Sequence, residues 1–334
     1  GMTLVIVIRH IDLSVGYLAG TLGAVAAISM KFWHLPDFAS ILLVLALGIL
    51  AGLLTAFLIA QMKIPAFVAT LAGWLFFRGL LQLATRSTGT IIIENDIFNA
   101  LGNGFIPDIP GLPFLPGIHK VTLLLGIFAI FVFIIGAIND RKKTLSYHFE
   151  VLPMNMFILK LVFFSAVIAI ITWILAGYQG LSWAAVVLLF VVLAYSYITT
   201  RTVVGKHIYA VGGNPEAAEL NGISVKNITY FVFGSMGLLT AVSGVLYASW
   251  LRSATTIAGQ GMELDAIAAA FVGGVAVAGG VGKVTGSIIG ALVMASLTNG
   301  MNLLGWDISI QYIVRAAVLV GAVIFDVATR KSAS

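Results

Sequence analysis

Five histidines, thirteen acidic residues and no cysteine are the groups with which this 334-residue chain could do chemistry. Without a thiol there is no disulfide, no thiolate nucleophile and no cysteine-ligated metal. His10, His34, His119, His148 and His207 fall singly in loops or at helix ends, and no His-Glu-x-x-His pair puts two on one helical face. The run Gly279-Gly-Val-Gly282-Lys283-Val284-Thr285 has the outline of a phosphate loop. Val277 stands where the first glycine is needed, however, and Val284 replaces the hydroxyl that would hold magnesium. Lys283 is more simply a basic residue at a tight turn. The sequence therefore predicts no catalytic residues, no metal site, no cofactor of its own and no ATP hydrolysis by this chain.

What remains is hydrogen-bonding chemistry inside apolar runs. Gln82, Thr298, Asn299, Asn302 and Gln311 can bond hydroxyl groups, and Trp74 or Tyr312 can pack on the C–H face of a sugar. Helix–helix hydrogen bonding explains any one of them equally well. Such a set fits a small uncharged cargo.

The elements that must position these groups are membrane spans. Charged residues are 9% and apolar residues 60% of the chain, with a mean hydropathy of +1.08. That leaves too little polar surface to cover a water-soluble fold of this size. About ten transmembrane helices are predicted: 13–30, 39–60, 66–84, 121–138, 157–176, 183–198, 229–250, 264–278, 285–303 and 310–327. The fold class is an all-α polytopic membrane protein, with 1–334 a single transmembrane domain. Arg9-His10-Ile11-Asp12 breaks the first helical piece from the second, with Asp12 placed to cap the latter. Residues 1–8 are already apolar, with neither a charged start nor a cleavage site, so they are no signal peptide. Crossing a bilayer takes about 20 residues, and the native N-terminal helix is expected upstream. Residues 85–120 hold four of the eight prolines (Pro107, Pro110, Pro113, Pro116) and read as an ordered, non-helical extracytoplasmic loop region.

Alternating the spans gives one consistent orientation. Twelve of 18 Lys and Arg then fall inside: Arg9, Lys63, Arg141, Lys142, Lys143, Lys160, Arg201, Lys206, Lys226, Lys283, Arg330 and Lys331. The net charge of +5 is better assigned to this inside-positive bias than to nucleic acid. Arg78 and Arg315 sit in apolar runs toward the outer face. Snorkelling explains both, and pairing with an acid near a pathway mouth is the alternative. Loop 199–228 falls inside, and it carries a helix of its own. Asn214 can cap it, Pro215 suits its first position, Glu216 suits its positive end, and Gly222 can end it in the left-handed region. Ala217, Ala218, Leu220 and Ile223 are its docking residues; an ordinary loop helix is the other reading. A fainter signal is internal: Asp12 to Gly20 and Asp265 to Gly273 share an acid with a glycine eight positions on. With Asp12 inside and Asp265 outside, this fits an inverted repeat.

Gly212-Gly-Asn-Pro-Glu-Ala-Ala-Glu-Leu-Asn-Gly-Ile223 resembles the cytoplasmic coupling loop of ribose- and xylose-type ABC importer permeases. Ile11-Asp-Leu-Ser-Val-Gly16 and Glu263-Leu-Asp-Ala-Ile-Ala-Ala-Ala-Phe-Val-Gly-Gly274 agree, in the right order. The resemblance implies that Asn214, Pro215, Glu216, Ala217, Ala218, Glu219, Leu220, Asn221 and Gly222 dock into a separate ATP-binding subunit, which holds the ATP and magnesium. It further implies Asp12, Ser14, Gly16, Glu263, Asp265, Gly273 and Gly274 as structural anchors of the pathway. Glu263 and Asp265 then belong to a short broken helix at its outer end and are not sugar ligands. A second permease copy, an extracytoplasmic sugar-binding protein and a bacterial inner-membrane location follow from the same likeness. Arg9-His10 departs from the small residues common before Ile-Asp-Leu-Ser in ribose-type members, and the insertion around 139–157 looks like xylose or multiple-sugar members. Xylose import is therefore the leading expectation, with arabinose, galactose or glucose beside it. Rivals are a nucleoside or branched-chain amino acid permease of the same family and an ion-coupled secondary transporter, which would want acids at the membrane midplane. An intramembrane enzyme lacks nucleophile and base.

Overall fold

A computed structural model describes residues 1–110 and 117–331. Pro113, Pro116 and the side chains of Arg330 and Lys331 lie outside the described residues. In chain order the elements are α1 (Met2–Val7), α2 (Val15–Lys31), α3 (Asp37–Ala60), α4 (Ala66–Thr85), β1 (Thr90–Ile92), α5 (Asp96–Asn103), α6 (Lys120–Ser146) and α7 (Met154–Ala176). Then follow α8 (Trp183–Arg201), α9 (Val203–Gly213), α10 (Pro215–Leu220), α11 (Val225–Leu251), β2 (Ser253–Thr255), α12 (Met262–Val272), α13 (Val284–Leu303) and α14 (Ile308–Lys331). Among the described residues eight helices, α3, α4, α6, α7, α8, α11, α13 and α14, are long and apolar enough to cross a bilayer. The protein is an all-α, multi-pass membrane protein.

Three expectations change. The span expected at 264–278 is only the 11-residue α12, about 16 Å long where a hydrocarbon core is about 30 Å. Gly273 and the left-handed Gly274 (φ 83°) end it. The region 85–120 is not free of helix: Asn95 Oδ1 accepts from the Phe98 N–H at 2.9 Å and starts α5, whose Phe98 is fully buried. The loop after α8 holds two helices rather than one, because Thr202 caps α9 through the Gly205 N–H at 3.2 Å.

The chain divides into two compact units, Gly1–Gly102 with Leu188–Ser334, and Asn103–Val187. In the first unit α11 is the central helix, packed on α2 and α3. Small residues allow the contact. A β-carbon at Gly237 would lie 2.0 Å from the Gly48 carbonyl oxygen, and one at Gly52 would lie 2.1 Å from that of Phe233. Backbones this close gain dispersion contacts that lipid cannot supply. Two apolar clusters fill this unit. One gathers α1 and α9 around Val232, Phe233 and Val275; the other gathers Leu81, Ile91 and Phe98 around α2. Strands β1 and β2 pair antiparallel, with Ile91 opposite Ala254.

In the second unit α6 and α7 form an antiparallel hairpin, with Gly126 seated against Thr172. The start of α6 is capped twice. His119 Nδ1 accepts from the Thr122 N–H, while Asp108 accepts from the Lys120 and Val121 N–H groups at 2.9 and 3.1 Å. These are donors that the helix itself cannot satisfy.

Candidate functional site

The helix foreseen at 215–220 forms as its residues dictate. Asn214 Oδ1 accepts from the Ala217 N–H at 3.0 Å, Pro215 takes the first helical position, and Gly222 adopts φ 80°. Its residues divide between two faces. Ala218 is buried and Ile223 packs on the core cluster, so these two fasten α10 to its own chain. Leu220 is 90% exposed, and Glu216, Glu219 and Asn221 face outward with it.

At the foot of α10 lies a clasp that the sequence does not announce. Arg9 has a left-handed backbone (φ 65°), and its Nε donates to the Gly212 carbonyl at 2.7 Å while a terminal nitrogen donates to that of Gly213. These are carbonyls at the end of α9 that lack helical partners, and a cation is favoured there. The Gly280 N–H donates to the Val7 carbonyl at 2.8 Å, and Tyr209 Oη donates to the Gly282 carbonyl at 2.6 Å. One guanidinium and two further hydrogen bonds thus join α1, α9 and the loop leading into α13. The signal was present in the sequence as Arg9 in an apolar run, but its partners lie 203 and 204 residues away.

The acidic helix starts meet each other. Asp12 is buried and its Oδ1 accepts from the Ser14 N–H at 2.9 Å and the Ser14 hydroxyl at 2.6 Å, at the head of α2. Gly16, one turn on, abuts the Gly259 carbonyl and the Glu263 carboxylate. Glu263 is buried, and its Oε1 accepts from Trp74 Nε1 at 3.1 Å. The charge count had set Asp12 and Asp265 on opposite sides. Instead the chain after β2 turns back through Gly259 and Gly261 (φ 81° and 82°), bringing the head of α12 against the head of α2. The two helices then diverge: Gly20 of α2 meets Ala258 and Gly23 meets Gly244 and Ala248, while α12 runs toward Val275 beside α1. Gly273 is pressed against the backbone of Gly286 on α13.

Asp265 faces the other way. Arg315 on α14 donates to its carboxylate at 3.4 Å, with the Tyr312 ring 6.0 Å from the guanidinium. Arg315 therefore has the acidic partner that was the alternative to snorkelling. Arg78 lies over the rings of Trp74 and Tyr17, at 5.4 and 5.8 Å, a cation–π arrangement. Asp265 also lines a cavity of about 610 Å³ with Trp250, Thr298, Asn299 and Asn302. Gln311 Nε2 donates to Asn302 Oδ1 at 2.8 Å and fixes that amide. Five of the seven tentative path residues thus gather at one end of α13 and α14. Trp74 instead serves Glu263, and Gln82 is exposed on α4 away from the cavity. Trp250 was missed because nothing in the α11 sequence separates it from an interfacial tryptophan.

A bundle of apolar spans with a helix too short to cross, buried acids at two meeting helix heads, and a polar cavity beside them is the kind of arrangement found in membrane transport proteins. The family model for the permease component of branched-chain amino acid transport systems matches residues 111–323. Over 331 residues the chain is 36% identical to the xylose transport system permease protein XylH of Haemophilus influenzae, covering 99% of this chain and 85% of that one. It is also 36% identical to XylH of Escherichia coli (99% and 81% covered), and 34% identical to the ribose import permease protein RbsC of Haemophilus influenzae (98% and 79%). No solved structure matches. The chain belongs to this family of transport permeases.

Proposed function

We propose that this chain is the membrane-spanning subunit of an ATP-driven ABC importer in a bacterial inner membrane, carrying a monosaccharide such as xylose. The observation that carries the reading is α10: a capped helix fastened by Ala218 and Ile223, with an apolar Leu220 left bare. An isolated leucine needs no explanation, but one held out by a purpose-capped turn offers a knob for a groove on another protein. That partner is a separate ATP-binding subunit, which binds ATP and magnesium and hydrolyses the nucleotide. Loop 199–228 then lies in the cytoplasm and 85–120 outside. The contacts support this sidedness, since Arg9, Gly212, Gly280 and Gly282 meet one another, as Asp37 meets Asn95 and β1 meets β2. A second permease copy and an extracytoplasmic sugar-binding protein complete the assembly. Full-length likeness to permeases named for xylose and ribose supports a sugar.

A second cargo, a branched-chain amino acid, draws on one observation: Asp265 and Arg315 offer one charge of each sign. They stand 3.4 Å apart and are engaged with each other, which leaves no separated pair for a zwitterion. The test is uptake of labelled D-xylose by cells carrying the whole transporter, with and without its ATPase subunit. ATPase-dependent uptake that excess xylose but not leucine abolishes is expected. Uptake indifferent to the ATPase would overturn the reading, and competition by leucine would overturn the choice of cargo.

A further inference from the structure

Near its turn the hairpin of α6 and α7 encloses a cavity of about 470 Å³. From α6 it takes Phe133, Gly136, Asp140 and Arg141, whose spacing puts them on one helical face. The turn and the start of α7 add Glu150, Phe157 and Lys160. The depth of the cavity follows from the sequence of α6. Its uncharged stretch from Val121 to Ile138 is about 27 Å long, close to the roughly 30 Å of a hydrocarbon core. Asp140 and Arg141 therefore stand where lipid headgroups begin, and Phe133 and Gly136 stand at the level of the acyl chains. The apolar length of α7 has no buried residue and that of α6 has few, which leaves the hairpin open to lipid.

The charges in the cavity are balanced and unpaired. Arg141 and Lys160 bring two cations and Asp140 and Glu150 two anions, yet among the described residues none of the four forms an ion pair. Arg141 is nevertheless held in place. A terminal nitrogen donates to the Leu152 carbonyl at 2.5 Å, and the guanidinium lies 4.8 Å from the centre of the Phe157 ring. One of its five N–H donors is thus engaged and four remain. Lys160 is the only charged residue in α7. On a lipid-facing helix that placement is unfavourable unless the ammonium reaches up to an anion at the headgroup level. Gly136 keeps the floor open, since a β-carbon there would meet nothing within 4 Å.

We propose that this cavity binds a phospholipid whose headgroup carries both a phosphate and a primary ammonium, as in phosphatidylethanolamine. The phosphate sits on Arg141 and Lys160, the ammonium on Asp140 and Glu150, and an acyl chain lies over Gly136 and Phe133. Charge complementarity selects this occupant. An anionic lipid satisfies the two cations but brings its own charge against two carboxylates. A quaternary headgroup has no N–H with which to bond those acids, and inorganic phosphate makes no use of the apolar floor. The bound lipid joins α6 to α7 where their own side chains leave a gap.

Native mass spectrometry of the purified chain, delipidated in detergent and titrated with one lipid at a time, tests this. One phosphatidylethanolamine per chain is expected to bind about tenfold more tightly than phosphatidylglycerol. Lys160 makes no hydrogen bond among the described residues, so Lys160→Gln leaves the fold alone and should weaken phosphatidylethanolamine about tenfold. Lys142→Gln, outside the cavity lining, should change nothing. Asp140→Asn combined with Glu150→Gln should reverse the order of the two lipids, which loss of a purely structural contact would not do. Gly136→Trp should reduce the binding of both. Equal affinity of the wild-type chain for the two lipids overturns the proposal, as does a Lys160→Gln chain that binds phosphatidylethanolamine as the wild type does. Displacement of the lipid by millimolar inorganic phosphate makes this a site for free phosphate and likewise overturns it.

Discussion

Glu263 shows how one side chain can hold three helices in a medium that offers it no water. Its carboxylate receives the Trp74 indole N–H from α4, lies at the head of α12, and presses on Gly16 of α2. Only a hydrogen atom fits at Gly16, since a β-carbon there would stand 1.9 Å from Glu263 Oε2 and 2.5 Å from the Gly259 carbonyl oxygen. Gly16→Ala is expected to destabilise the protein by about 1–3 kcal/mol, the usual cost of overpacking. The check is a lower thermal midpoint in detergent; an unchanged midpoint refutes the close approach. At α10, Asn214→Ala removes one cap bond, worth about 1 kcal/mol. Leu220→Asp touches nothing inside the chain, so it should leave the melting temperature alone and abolish co-purification of the ATPase subunit. Retained co-purification would remove Leu220 from the docking surface. Residue types were legible here: Asn214, Pro215 and Gly222 announce their own turn. Which way each residue of that turn faces was not, because Ala218 and Leu220 differ only in what lies beyond them.

At the level of elements, the long apolar helices and the self-capped α10 were legible, whereas α5, α9 and the end of α12 were not. Hydropathy finds α3 or α13 because length and composition alone decide whether a helix can span. By contrast, α9 is built of Val-Val-Gly-Lys-His-Ile-Tyr-Ala-Val-Gly-Gly, a poor helix former by propensity, and folds because Ile208 and Val211 are buried against the core. The end of α12 was overrun for the opposite reason: the sequence stays apolar through Ala278 while Gly273 and Gly274 stop the helix. The crossing of α3 with α11 makes a sharp prediction. Gly237→Leu cannot be accommodated 2.0 Å from a backbone oxygen, so the protein should fail to accumulate in the membrane, whereas Gly136→Leu, with open space around it, should accumulate normally. The start of α6 gives a pH dependence. Burial pushes the Asp108 carboxyl up, but the backbone N–H groups of Val121, Ile109 and Lys120 together hold it below its ordinary value. A depressed carboxyl stabilises the folded state above its unfolded pKa, and that contribution is lost as pH falls through the folded value. Amide exchange at residues 119–123 should therefore show less protection in acid, and Asp108→Asn should remove the difference.

For the whole molecule, membrane class and the order of spans followed from composition and charge. The meeting of distant segments did not. Nothing in the sequence pairs Arg315 with Asp265 across 50 residues, or Thr3 with Ser287 across 284. The sidedness proposed here predicts opposite accessibility for two engineered thiols: Leu220→Cys should react with an impermeant reagent only in inside-out vesicles, and Asn299→Cys only in right-side-out ones. Reaction of both from one side would reverse the orientation of one of them. The Arg9 clasp bears on what such a protein can transmit. Because Arg9 grips the end of α9 immediately before Asn214, while Val7 two residues earlier holds Gly280, a tug on the exposed turn need not cross the bilayer to reach the α12–α13 junction. It arrives through a rivet at the same end of the molecule. Exchange Arg9 for leucine and the two halves of that linkage still fold, but fuel consumption and cargo movement should come uncoupled, nucleotide being spent while the sugar stays where it was.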